Sequence, residues 1–136
     1  MYLLDTNVLS EVIKREPSPA LMARLAEVDA EELFTTSVTV MELRYGAARR
    51  HDRRRFWVRL EREVLSRVQI LGFGASEAEK AGDLLAELAK RGVPIGLEDT
   101  LIAAVALTHG CAVVTRNVRH FERVPLLEVE NWFEAT

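Results

Sequence analysis

A chain of 136 residues, 49% hydrophobic and 29% charged, suits one folded domain, expected over residues 1–136, that buries a core without disulfides or structural metal. Its formal net charge of -3 argues against a generally basic nucleic-acid coat, though not against a local basic patch. A single cysteine, Cys111, excludes a disulfide framework, no apolar run approaches the ~20 residues of a membrane span, and Asp5 would interrupt an export signal, so a cytoplasmic protein away from the membrane is expected.

The chain opens with Tyr2-Leu3-Leu4, a strand-like run that passes directly into Asp5 and the helical pattern DTNVLSEVIKRE, with Val8/Val12 and Leu9/Ile13 spaced i, i+4. Pro17 and Pro19 break that helix, and ALMARLAEVDAEE resumes as a second one with the stripe Leu21, Leu25, Val28. LFTT reads as a short strand ending in Ser37, a candidate N-cap for the helix VTVMELRYGAARR. After a break near His51-Asp52 an exposed helix, RRRFWVRLEREVLSRV, leads to the strand VQIL. The helix SEAEKAGDLLAELAKRG is opened by Ser76 and Glu79 at capping-box spacing and closed by Gly92. LEDTLIAAVALTHG is an alanine-rich helix ending at Gly110. CAVVT is a strand, RNVRHFERV a turn with a short helical piece, and LLEVENW a last short strand. Alternation of strand and helix predicts an α/β fold: a central, mostly parallel sheet of four or five strands with helices on both faces. Ligands then bind beyond the carboxyl ends of the strands.

Three acids gather at that edge. Asp5 at the first strand's end can be a helix N-cap or a group lining the ligand crevice. Glu42 sits in a helix whose neighbours Val38, Val40, Met41, Leu43, Tyr45 and Ala47 make it look largely buried, so its carboxylate needs either an arginine, Arg44 or Arg49, or a metal. Asp99, in the first turn of its helix, can compensate the helix dipole, although its face continues through Ile102, Ala103 and Ala106 into core; Glu98 beside it is the better dipole partner or a secondary ligand. Like charges gathered together repel, which protonation or a cation relieves, and a hard divalent ion with oxygen ligands answers that need. The three scattered histidines and lone cysteine disfavour zinc. Thr115 and Asn117 leave the strand AVV at the same edge, where a hydroxyl and an amide can orient water or phosphate or simply form a turn.

Taken in order, LLDTNVLSE, SVTVMELRYGA, PIGLEDTLIAAVA and VVTRNVRHFERVPLLEVENW resemble the PIN-domain ribonucleases, specifically the VapC toxins of type II toxin–antitoxin pairs with their FitB-like group, from one terminus to the other. The resemblance implies a single PIN-like domain and a Mg²⁺- or Mn²⁺-dependent endoribonuclease that cleaves RNA with a metal-activated water. Its metal-binding acids map onto Asp5, Glu42 and Asp99, with Thr6, Asn7, Thr115 and Asn117 in support. It further implies a homodimer and a cognate VapB/FitA-like antitoxin whose C-terminal segment fills the toxin groove, the pair assembling on operator DNA. Many relatives carry a fourth acid where this chain has His120, which can contact phosphate or stand in solvent. An arginine-rich run offers Arg49, Arg50, Arg53 and Arg54, with Arg44, Arg55, Arg59 and Arg62 nearby, as an RNA-binding rim or a solvated helix face. Phe56 and Trp57 can stack on bases or pack under a partner. A HAD-like phosphohydrolase would want a second aspartate at Asn7. The remaining alternative is a catalytically silent PIN-like module that binds RNA or protein.

Overall fold

The computed structural model describes residues 1–134; the last two residues of the expected 1–136 span lie outside them. Five short strands, β1 (Tyr2–Leu4), β2 (Leu33–Thr36), β3 (Gln69–Leu71), β4 (Ala112–Val114) and β5 (Val129–Glu130), form one sheet in the order β3-β2-β1-β4-β5. Every pairing is parallel, so the sheet is wholly rather than mostly so. Because side chains alternate across a strand, Leu3 and Val113 enter one core while Leu4 and Val114 enter the other, and both faces need helices.

On the Leu4 side pack α1 (Thr6–Val12), α2 (Pro19–Glu27), α4 (Arg53–Glu63) and part of α3 (Ser37–Ala48). On the Leu3 side lie α5 (Ala75–Lys90), α6 (Leu97–His109) and the short α7 (Val118–Phe121). In α6, Ile102, Ala103, Ala104, Val105 and Ala106 are all fully enclosed, and its small side chains let the helix lie close to its neighbours. Gly110 closes it at φ 70, the left-handed turn that glycine adopts without strain.

Several local expectations move. The helix after β2 is capped by Thr36, whose hydroxyl accepts from Thr39 N–H, and Ser37 is already helical. The helix after β3 begins two residues early: Gly74 is the N-cap and Glu77, not Glu79, reaches back to its backbone N–H at 2.8 Å. The first helix stops at Val12 and the second at Glu27, with Val28 just past its end. Contrary to the buried helix expected around Glu42, α3 is two-sided. Val38, Thr39, Leu43 and Ala47 face inward while Met41 and Tyr45 stand 54% and 64% exposed, because none of the described elements covers its outer flank.

Candidate active site

Register decides which side chains meet. Leu4 pairs with Val114, so the residues that follow, Asp5 and Thr115, leave the sheet side by side at its carboxyl edge. Asp5 is 4% exposed. Its Oδ1 accepts from Thr6 N–H at 2.8 Å, and its Oδ2 accepts from the Thr115 hydroxyl at 2.8 Å and from the Asn7 amide at 3.1 Å. Asn7 is fixed in turn, its oxygen accepting from Arg116 N–H at 3.0 Å, and Thr115 accepts from Asn117 N–H at 2.9 Å. Burial pushes the Asp5 carboxyl up to about 6 against the pull of Thr115 and Thr6, and the charges of Asp99 and Glu42 push the same way.

Glu42 projects from the second turn of α3, half-buried. Its Oε1 accepts from the Thr6 hydroxyl at 2.6 Å. Burial raises its carboxyl above the ordinary range, opposed by Thr6 and reinforced by Asp99 and Glu98. Neither Arg44 nor Arg49 pairs with it: Arg44 lies over the Trp57 ring and Arg49 over Tyr45. Asp99, in the first turn of α6, faces His120, with Oδ2 3.0 Å from Nδ1. The Asn117 amide is 2.9 Å from that same nitrogen. One ring nitrogen cannot donate to the carboxylate and accept from an amide N–H together, so a protonated Nδ1 requires Asn117 to present its oxygen. His120 thus stands against an acid rather than free in solvent. Glu98 is exposed and acts on Glu42 only through its charge.

Among the described residues no lysine or arginine lies within ion-pair distance of Asp5, Glu42 or Asp99. Among them, too, no three His, Cys, Asp or Glu side chains stand close enough together to enclose an ion. The acids feel one another's charge yet hold apart on separate braces, as like charges do. Their donor set is all oxygen and carries no counter-cation, which fits Mg²⁺ or Mn²⁺ and not a soft metal.

From Thr6 and Glu42 a groove of about 490 Å³ leads away between α1, α3 and α4, past Lys14, Arg50, Phe56 and Arg59. Of the four arginines expected at an RNA rim, only Arg50 lines it. Arg50 grips Asp52 at 2.8 and 3.1 Å, holding that carboxyl down at about 2, and lies over Phe56. Arg53 and Arg54 line a second hollow of about 500 Å³ with Arg44, Trp57 and Val58, and Arg49 covers Tyr45. Nothing in the sequence ties Lys14 to Arg50, which lies 36 residues further along the chain, and nothing there marks Thr36 and Thr39 as buried hydroxyls.

The PIN domain family matches residues 2–127. Ribonuclease VapC2 of Haemophilus influenzae is 40% identical over 96% of this chain and 97% of its own. A tRNA(fMet)-specific endonuclease VapC of Shigella flexneri is 37% identical over the same shares, 96% and 97%. The crystal structure of FitAcB from Neisseria gonorrhoeae superposes with a TM-score of 0.91 at 30% identity, covering 99% of this chain and 100% of that one. By sequence and backbone alike, nearly end to end, this chain belongs to the PIN-domain family, among its VapC ribonucleases.

Proposed function

We propose that the protein is a Mg²⁺- or Mn²⁺-dependent endoribonuclease, the toxin of a type II pair, held silent by a cognate VapB/FitA-like antitoxin. The observation that carries this reading is Asp5: a carboxylate 4% exposed at a strand end, raised by burial and by two neighbouring acids, with three donors and no cation. Burying such a group without a counter-charge is costly, and a divalent ion that drew Asp5, Asp99 and Glu42 together would remove the cost. When bound, the ion would lower the pKa of the attacking water and neutralise charge on the phosphate oxygens.

The chain's own residues do the rest. Thr115 and Asn7 fix the Asp5 carboxylate, Thr6 fixes Glu42, and Asn117 with His120 fixes Asp99. Lys14 in the groove pairs with the buried Glu11, and Arg59 with Glu63 in an exposed ion pair of the weak kind that phosphates can displace. The same groove is the seat proposed for the antitoxin's C-terminal segment, so inhibitor and substrate would compete. Exposed Met41 and Tyr45 on α3 and Val58 on α4 supply apolar surface for a homodimer, which the antitoxin's DNA-binding domain would anchor to operator DNA in the cytoplasm.

Incubation of the purified chain with transfer RNA, with and without Mn²⁺, tests the reading, since one relative is named for that substrate. Discrete fragments that vanish with EDTA and in Asp5→Asn are expected. Binding without cleavage under every metal condition would instead identify a silent binding module.

A further inference from the structure

Behind Glu42 lies a row of three threonines. The Thr6 hydroxyl is 2.6 Å from Glu42 Oε1 and 3.4 Å from Thr39 Oγ1, which is itself 3.2 Å from Thr36 Oγ1. Thr36 and Thr39 are completely enclosed. Each hydroxyl has one proton, and that fixes the order. A carboxylate can only accept, so Thr6 spends its proton on Glu42 and must accept from Thr39; Thr39 then accepts from Thr36. Thr36 Oγ1 already accepts from Thr39 N–H at 2.9 Å, which leaves its proton free to donate onward. All three protons therefore run from the cap of α3 toward the carboxylate. Thr36, Thr39 and Glu42 are spaced by three along one face of α3, so the helix itself aligns the row.

We infer that Thr39, backed by Thr36, is a positioning residue for Glu42: it holds the Thr6 hydroxyl in the one orientation that presents Glu42, in a single rotamer, to a divalent cation. Glu42 needs such a brace because, among the described residues, no lysine or arginine holds it and its side chain has three rotatable bonds. The inference rests on the metal-site reading above and names two residues that reading does not use.

The test compares Thr39→Val, close in shape but lacking the hydroxyl, with Thr39→Ser, which keeps it, and with Asp5→Asn. Mn²⁺ alone is titrated calorimetrically into each folded protein, and cleavage of transfer RNA is followed kinetically. Losing one hydroxyl–hydroxyl hydrogen bond from the brace predicts that Thr39→Val weakens Mn²⁺ binding and lowers kcat by about fivefold each, leaving KM for RNA within about twofold. Thr39→Ser restores both. If Thr39→Val does not fold, Thr39→Ala removes the same hydroxyl and carries the same expectations. Wild-type Mn²⁺ affinity and kcat in the hydroxyl-less variant, alongside weakened Mn²⁺ binding in Asp5→Asn, overturn the brace alone. Mn²⁺ binding unchanged in Asp5→Asn overturns the metal site and the brace with it.

Discussion

One oxygen of Asp5 accepts from the Thr6 N–H that opens α1, and the other takes Thr115 and Asn7, so cap and site are the same carboxyl group. A group optimised as a cap alone would stay wet and easily ionised. Asp5 is instead buried beside two acids and raised to about 6, which at neutral pH is a standing destabilisation of the metal-free fold. Asp5→Asn removes that charge, keeps an oxygen for Thr6 N–H and sets its amide against that of Asn7. The substitution should therefore stabilise the metal-free protein by about 1–2 kcal/mol, a rise of several degrees in Tm, while abolishing cleavage. A melt showing lower stability would mean the carboxylate is needed for the fold rather than for the reaction. At this scale the sequence is readable where the candidate site is contiguous, as in Asp5, Thr6 and Asn7. It is unreadable where partners lie far apart in the chain: His120 against Asp99 and Thr39 against Thr6 both become neighbours only after the chain has folded.

Elements were legible through periodicity, because a sheet covered on both faces leaves short apolar strands between amphipathic helices. Their ends were less so. The helix after β3 starts at a glycine cap whose contribution is a backbone N–H, and a search for a side-chain cap passes over it to Ser76. Gly110 was read correctly because only a left-handed residue turns α6 back into β4. Gly110→Ala should cost about 1 kcal/mol, or slightly more, in a thermal melt, since the φ of 70 is strained for alanine although nothing obstructs its methyl. The arginine-rich run illustrates the opposite limit. Composition alone could not show that Arg50 faces the acid groove while Arg53 and Arg54 face the hollow across α4. Both hollows adjoin α4, so a bound RNA that spans them should feel each. Reversing Arg53 and Arg54 to glutamate in the Asp5→Asn background should weaken RNA binding about tenfold and flatten its salt dependence. Unaltered affinity across a salt series would confine the substrate to the groove lined by Lys14, Arg50 and Arg59.

At the scale of the whole molecule the acid edge couples stability to pH and, on the proposed metal site, to metal. Because Asp5 keeps its proton to about 6 in the folded chain but only to 3.8 when unfolded, the native state binds more protons between those values. Stability of the metal-free protein must then fall as pH rises from about 4 to about 6, by at most about 3 kcal/mol, and level off above. On the proposed metal site a divalent cation should reverse that slope, since it would bind the ionised acids of the folded state and gain nothing from the dispersed acids of the unfolded one. Melting with and without Mn²⁺ across pH 5 to 8 should show a metal-induced rise in Tm that is small at about pH 5 and grows through about pH 6, with cleavage activity growing over the same interval. The two curves share one cause, deprotonation of the strand-end acids. A Tm increment of equal size at both ends of the range would mean that Mn²⁺ binds elsewhere, and that the acids at the sheet edge are not where this protein meets its metal.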